Sequence, residues 1–305
     1  MRAARRSAVA AVASRDAIRA ESYARAWQIP RAHGSYDALL RDPGVDAVYV
    51  PLPNALHVEW TLRALDAGKH VLCEKPLALA PEDVDRVEAV ARGRGLVVAE
   101  AFMYRHEPLI ARVRELLRDG AIGRVRRVRA EFSYLQVRST DVRLDPALGG
   151  GSLWDVGCYA VDAIRLVAGE EPVEAFGVSV GAGRDVDMAF SGVLRFAHEV
   201  LGEIHSSFLS PYRTLLEVAG DAGLLRVENP FRPGLEEQIE LRLSDESRRV
   251  RVAGSPLPFV RLLEDFAAAA LDGAAPVVPL RDSRGNAAAL AALHASARSR
   301  HPIPL

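Results

Sequence analysis

From Ala8 to about Tyr104 the chain alternates short apolar strands with helical stretches, and this alternation limits the fold more tightly than any other feature. Ala8–Ala13, Val45–Val50, His70–Cys73 and Leu96–Ala99 read as strands. Ala17–Trp27, Tyr36–Arg41, the stretch from Asn54 to Ala67, and Pro81–Arg92 read as helices. Asn54 suits an N-cap, Gly68 a C-cap, and Pro81 the opening of its helix. Near-continuous apolar strands separated by helices build a parallel sheet covered on both faces. Ligands bind such sheets beyond the C-terminal ends of the strands. Met1–Ser7 reads as the tail of a helix rather than a targeting peptide, because the apolar run that follows is only six residues long.

After Tyr104 the pattern changes. Pro108–Asp119 is helical, and Arg124–Val137 alternates charged and apolar residues as a half-buried strand does. A helix from about Ser152 to Ala168 precedes strands over Val173–Val180, Asp187–Phe196, Val200–Phe208, Arg213–Ala219, Gly223–Val227, Gln238–Leu243 and Arg248–Val252. Helices over about Pro258–Leu271 and Asp282–Ser299 close the chain. The expectation is an α/β first domain over residues 1–104 and an α+β domain on a mostly antiparallel sheet over residues 105–305.

A dinucleotide-binding α/β domain ordinarily opens with a strand, a Gly-x-Gly-x-x-Gly turn and a helix. No such turn is present, and Gly149–Gly151 lies in the second domain. The sequence therefore reads as a Rossmann-like sheet whose first βα unit is missing. A translation start placed too late accounts for this better than a chain that has lost a central strand.

Composition excludes several classes. Lys+Arg is 39 and Asp+Glu is 40, a balance that gives no electrostatic footprint for nucleic acid or anionic membrane. No apolar run approaches the roughly 18 residues of a membrane span. Cys73 and Cys158 make no disulfide framework, which fits a reducing cytoplasm, and no residue cluster has metal-ligand spacing. Among the cations only Lys69 and Lys75 are lysines. A chain that uses arginine wherever a positive charge will serve keeps lysine where its adjustable ammonium matters.

Four segments carry candidate chemistry. Glu74-Lys75-Pro76 follows a parallel strand, so Lys75 either points into the ligand crevice or is an exposed loop lysine. Pro51-Leu52-Pro53-Asn54, with His57 beyond, is either a rigid ligand loop or a plain strand-to-helix turn. Gly149-Gly150-Gly151-Ser152-Leu153-Trp154-Asp155-Val156-Gly157-Cys158-Tyr159 is the most unusual. Asp155 and Tyr159 share a helix face with Asp162 nearby, and Gly157 within a helix signals close packing. Ser14-Arg15 follows a strand where arginine suits an adenosine 2′-phosphate, unless it is a solvated turn.

These motifs, with Glu100-Ala101-Phe102-Met103-Tyr104-Arg105, resemble in order and spacing the Gfo/Idh/MocA family of nicotinamide-dependent oxidoreductases. Tyr159 stands where many members carry histidine. That departure resembles the branch of glucose-fructose oxidoreductase, dimeric dihydrodiol dehydrogenase and NADP-linked xylose dehydrogenase. The resemblance implies NADP, with NAD as the alternative, bound by Ser14, Arg15, Pro51, Leu52, Asn54, His57, Glu74, Lys75 and Arg105. It implies a sugar, polyol or dihydrodiol substrate held by Phe102, Tyr104, Trp154, Asp155 and Tyr159. Lys75 and Tyr159 are then catalytic with Asp155 supporting, and the open sheet of the second domain forms a homodimer or homotetramer. Tyrosine is a poor base near neutrality, and an adjacent ammonium favours its phenolate. The other reading is a non-catalytic relative that binds a sugar or partner and has lost nucleotide binding.

Overall fold

The computed structural model describes residues 3–181, 183–255 and 257–305. The first half alternates as the hydrophobic pattern dictates: β1 (Ala11–Ala13), α1 (Ala17–Trp27), β2 (Arg31–His33), α2 (Tyr36–Leu40), β3 (Ala47–Val50), α3 (His57–Asp66), β4 (His70–Cys73), α4 (Pro81–Arg94) and β5 (Val98–Glu100). All pairings here are parallel; β1 pairs with β2, and β3, β4 and β5 form a second group. Strand β2 carries no apolar run and escaped the sequence reading. Ionic contacts anchor it, since Arg31 bonds Asp42 at 3.0 Å and the Gly44 carbonyl at 2.7 Å.

Two expectations need correction here. Residues 3–10 are not helical, and Met1 and Arg2 lie outside the described residues. Arg6 instead pairs with Asp272 at 2.5 Å, and the Arg5 amide donates to Glu264, which ties this segment to a distant helix. Asn54 does not cap α3; it begins a 3₁₀ turn, Asn54–Leu56, and donates its side-chain amide to the Gly149 carbonyl at 2.8 Å.

The second half comprises α5 (Pro108–Arg118), β6 (Val125–Ser133), a π-helical turn (Leu153–Gly157), α6 (Cys158–Ala168), β7 (Pro172–Val180), β8 (Ala189–Phe196), β9 (Leu201–Ser207), β10 (Arg213–Gly220), β11 (Gly223–Val227), β12 (Glu236–Leu243), β13 (Ser247–Ala253), α7 (Pro258–Asp272), α8 (Leu280–Ser299) and β14 (Ile303–Pro304). The sheet runs β13-β12-β11-β10-β6-β9-β8-β7-β14. Every neighbouring pair is antiparallel except β6 and β9. Alternation decides its two faces. Val128, Ala130 and Phe132 of β6 face inward, where Val161 and Ile164 of α6 join the same core. Arg127, on the other face of β6, pairs with Glu217 at 3.1 Å, while Phe176, Val178, Val193 and Leu201 of the neighbouring strands remain exposed.

The last helices return to the first sheet. Leu262, Leu263 and Phe266 of α7 pack with Leu72, Ala99 and Met103, and Ala287 of α8 joins the core of Leu65 and Val87. Polar groups are buried at this junction. Arg105 bridges Asp162 and Asp282 at 2.8 Å each, and the Tyr104 hydroxyl donates to Asp162. Glu100, at the end of β5, is 2 % exposed and accepts from the Leu77 amide at 2.9 Å, while its second oxygen has no hydrogen-bond partner among the described residues. Burial pushes its carboxyl up to about 7.

A carboxyl raised this way favours the fold while protonated and loses that contribution as pH rises through about 7. Glu100→Gln mimics the protonated form. It is expected to raise Tm at pH 8, by up to about 3 kcal/mol of stability, and to have little effect at pH 5; thermal melts at the two pH values read the difference.

Candidate active site

Strand β4 ends at Cys73, and the chain leaves the parallel sheet through Glu74, Lys75 and Pro76. The Lys75 ammonium crosses to the second domain. Its Nζ donates to the Asp155 backbone carbonyl at 2.6 Å and lies 3.3 Å from Asp155 Oδ1. Lys75 is thus an anchored residue rather than a free loop lysine.

Asp155 stands on the π-helical turn that precedes α6. Asp187 binds the start of that turn, accepting from the Ser152 hydroxyl at 2.6 Å and the Leu153 amide at 2.8 Å. Gly151, at φ 118°, lies so close to Asp187 that an added Cβ would sit 2.2 Å from its Oδ1. Gly157 packs against Leu153 and Ser206, where a Cβ would come within 3.1 Å of each. These approaches explain the glycines of the segment. A wide π turn also keeps Asp155 directed at Lys75 while α6 begins its regular winding.

The Asp155 carboxylate has two further partners. Tyr134 donates to its Oδ2 at 2.8 Å, and Arg143 Nε lies 3.1 Å from the same atom. Burial alone would raise this carboxyl, but Lys75, Arg143 and the Tyr134 hydrogen bond outweigh it and hold Asp155 below the ordinary range. The converse holds for Lys75. Burial works against its charge, yet Asp155, helped by Cys158, Tyr159 and Glu74, leaves its pKa above the ordinary lysine value.

Tyr159 occupies the first turn of α6. Its ring is surrounded by Phe102 at 5.3 Å, Phe132 at 5.5 Å and Phe231 at 5.5 Å, and Lys75 Nζ lies 5.1 Å from its centroid. The hydroxyl makes no hydrogen bond among the described residues, and Tyr159 lines a cleft of about 2980 Å³. Burial raises the phenol pKa; Lys75 opposes the rise without cancelling it.

The cleft runs from the C-terminal ends of β1, β3 and β4 to the second sheet. Ser14, Arg15, Pro51, Leu52, Asn54, His57, Glu74, Lys75, Asp155 and Tyr159 all line it. His57 is fully buried, and its ring nitrogens lie 2.7 Å from the Pro76 carbonyl and 2.6 Å from the Leu52 carbonyl. It therefore ties the two strand-end loops together and is not free for a ligand. Arg15 has no ion-pair partner among the described residues, so its guanidinium is available to an anion at the end of β1.

Four candidates lie elsewhere. Phe102 and Tyr104 are wholly buried, Trp154 packs 5.8 Å from the His294 ring, and Arg105 is neutralised by Asp162 and Asp282. After β5 the chain enters a 3₁₀ turn, Met103–His106, and Phe102 and Tyr104 pack into the second core while Ala101 and Met103 reach the cleft. Phe102 and Tyr104 support the Tyr159 ring from behind. The sequence reading missed Tyr134, Arg143 and Asp187. No local pattern marks them, because each acts through a contact with the Asp155 turn made from a distant segment.

A strand-end cleft, a half-buried phenol lining it and a charged lysine beside it define an oxidoreductase site of the dinucleotide-binding α/β class. The comparisons agree. The model of the oxidoreductase family with an NAD-binding Rossmann fold matches residues 1–102, and the GFO/IDH/MocA C-terminal domain matches residues 110–226. D-xylose 1-dehydrogenase (NADP(+)) 2 of Haloferax volcanii is 38% identical over 97% of this chain and 91% of its own. Trans-1,2-dihydrobenzene-1,2-diol dehydrogenase of Xenopus tropicalis is 33% identical over 72% of this chain and 66% of its own. A 3-ketoreductase from Actinomadura kijaniata, solved with NADP and TDP-benzene, superimposes with a TM-score of 0.89 at 33% identity, covering 94% of this chain and 89% of that one. The chain belongs to the Gfo/Idh/MocA family and is a nicotinamide-linked oxidoreductase. The expectation of a chain lacking its nucleotide-binding unit is not borne out: the NAD-binding Rossmann model matches residues 1–102.

Removing the His57 ring takes away the contact between the Leu52 and Pro76 carbonyls and the one N–H that the neutral ring donates there, in a buried site. His57→Ala is expected to destabilise the fold by about 2–4 kcal/mol, measured as a lower urea midpoint.

Proposed function

We propose that this protein is an NADP-dependent dehydrogenase or reductase acting on a CH–OH group of a sugar, polyol or dihydrodiol. Lys75 and Tyr159 carry the proton transfer and Asp155 supports them. One observation carries the reading: the unbonded Tyr159 hydroxyl faces the same cleft as a lysine ammonium 5.1 Å from its ring. The residues beyond β1, β3 and β4 fit a dinucleotide, with Arg15 free to bind a 2′-phosphate. When bound, the nicotinamide supplies the hydride acceptor or donor.

The protein's own residues handle the proton. With its pKa above the ordinary value, Tyr159 is a phenol near neutrality and donates to the oxygen of a carbonyl undergoing reduction. In oxidation the same oxygen accepts the alcohol proton, a step that needs the phenolate. The charged Lys75 stabilises that phenolate and any oxyanion beside it. Asp155 keeps Lys75 in place through two contacts. Phe102, Phe132 and Phe231 hold the Tyr159 ring, which limits the rotation that would separate its oxygen from the ammonium.

Two wider readings belong to the same proposal. The exposed Phe176, Val178, Val193 and Leu201 support a homodimer or homotetramer formed through the open sheet face. The unpaired, buried Cys73 and Cys158 suit a reducing cytoplasm; no helix among the described residues is long and apolar enough to cross a membrane.

The test is NADP-linked turnover of a panel of aldoses, polyols and trans-diols. Tyr159→Phe and Lys75→Ala are each expected to lower kcat by about 10²–10⁴-fold while NADP quenching of protein fluorescence persists. Wild-type turnover in both variants would sink the assignment. The pH dependence has a definite sign. Because the Tyr159 phenol titrates above its ordinary pKa, kcat/KM for oxidation should climb about tenfold per pH unit from pH 7 to 10, whereas reduction should stay level. A flat oxidation profile would count against Tyr159 as proton acceptor.

A further inference from the structure

The two carboxylate oxygens of Asp155 have different partners. Oδ1 faces the Lys75 ammonium at 3.3 Å. Oδ2 accepts from the Tyr134 hydroxyl at 2.8 Å and lies 3.1 Å from Arg143 Nε. Tyr134 and Arg143 both stand on the stretch that joins β6 to the glycine-rich segment. Arg143 is itself fixed. Its carbonyl accepts from the Gly151 amide at 2.9 Å, its amide donates to Asp141 at 3.0 Å, and its Nη1 donates to the same carboxylate at 3.2 Å. A Cβ on Gly150 would lie 2.6 Å from the Arg143 carbonyl oxygen, so the middle glycine is what allows this close approach. Backbone and side chain together tie Arg143 to the segment that carries Asp155.

Lys75 by itself holds the carboxylate weakly. Its short hydrogen bond, 2.6 Å, goes to the Asp155 carbonyl, and Oδ1 lies farther off. The Asp155 side chain is only 12 % exposed, so an Oδ2 without partners would favour the neutral acid. A neutral Asp155 gives up the ion pair that keeps the ammonium beside Tyr159. We propose that Arg143 is a positioning residue of the reaction: it clamps Asp155 through Oδ2, with Tyr134 beside it, so that Oδ1 stays turned to the Lys75 ammonium. This rests on the reading above, in which Lys75 and Tyr159 exchange the proton. Arg143 acts through Asp155 and needs no contact with the substrate. The other charged or titratable groups around the pair are Glu74 near Lys75, Asp141 beside Arg143, and Cys158 and Tyr159 on α6. Of all these groups only Arg143 adds positive charge to that of Lys75, so its loss is the one that lets Asp155 take up a proton.

The composition offers a direct probe, because Lys69 and Lys75 are the only lysines. Protein labelled with lysine carrying ¹³C at Cε gives two NMR signals, which Lys75→Arg assigns. The Lys75 signal reports the charge on Asp155 as pH is varied, with no substrate present. In Arg143→Gln the Asp155 step in that signal is expected about 1–3 pH units higher than in the unmodified protein. Arg143→Lys should return most of that shift, and the Lys69 signal should not move. Arg143 is 45 % exposed, so these variants are expected to fold. Tyr134→Phe, which removes one hydrogen bond from the same oxygen, should move the step the same way by less. Turnover should follow. For the aldose of the panel above that the unmodified protein oxidises fastest, the ratio of Arg143→Gln to unmodified kcat should be about three- to tenfold lower at pH 5 than at pH 8. The Kd of NADP should not change. An unshifted Lys75 step overturns the proposal. So does a kcat ratio equal at the two pH values, which is what a merely structural role would give. A Lys75→Ala variant with undiminished turnover would instead overturn the functional reading, and the substrate-free titration scores the clamp separately from that outcome.

Discussion

The contact between the Lys75 ammonium and Asp155 organises this protein's site. It joins the end of a parallel strand to a turn some eighty residues later, with Nζ 2.6 Å from the backbone carbonyl and 3.3 Å from the carboxylate. Each partner would resist burial if alone. An unpaired buried charge costs several kcal/mol, which close pairing and hydrogen bonds must offset. Here Tyr134 and Arg143 complete the coordination of Asp155, so the ammonium remains charged in a largely apolar wall. In the proposed reaction that charge favours the phenolate of the neighbouring Tyr159.

The rest of the structure holds the contact in place. His57 spans the loops after β3 and β4, and Asp187 secures the turn that carries Asp155. Aromatic rings pack the Tyr159 side chain from several directions. Arg105, Asp162 and Asp282 fasten α6 and α8 to the chain leaving β5. Removing one partner from such a buried network costs more than the single contact is worth, because the others are left unsatisfied. The anchoring groups thus keep Lys75 and Tyr159, from distant segments, at fixed separation, which is the geometry the proposed proton transfer requires.

Much of this was legible beforehand. Apolar runs punctuated by glycine and proline marked β3, β4 and β5, and alternation marked most of the antiparallel strands. Lys75, Asp155 and Tyr159 were identifiable because a strand-end lysine and an i, i+4 pair each have a direction implied by local geometry. The errors have a common origin. Arg31–His33 became a strand through side-chain ion pairs, and residues 3–10 are tied to α7 by similar contacts. Phe102, Tyr104, Trp154 and Arg105 were assigned to the pocket by their place in the chain, but a 3₁₀ turn and core packing point them away from it.

The amino-acid order alone determined most element types and the class of sheet in each half, since these follow from short-range periodicity and side-chain identity. Only tertiary structure decided which groups stand around Lys75 and Asp155. Tyr134, Arg143 and Asp187 enter through contacts between separate segments, and no local pattern encodes such distances. The same is true of charge. Whether Asp155 stays ionised or Glu100 holds its proton depends on burial and on neighbours supplied by the completed fold.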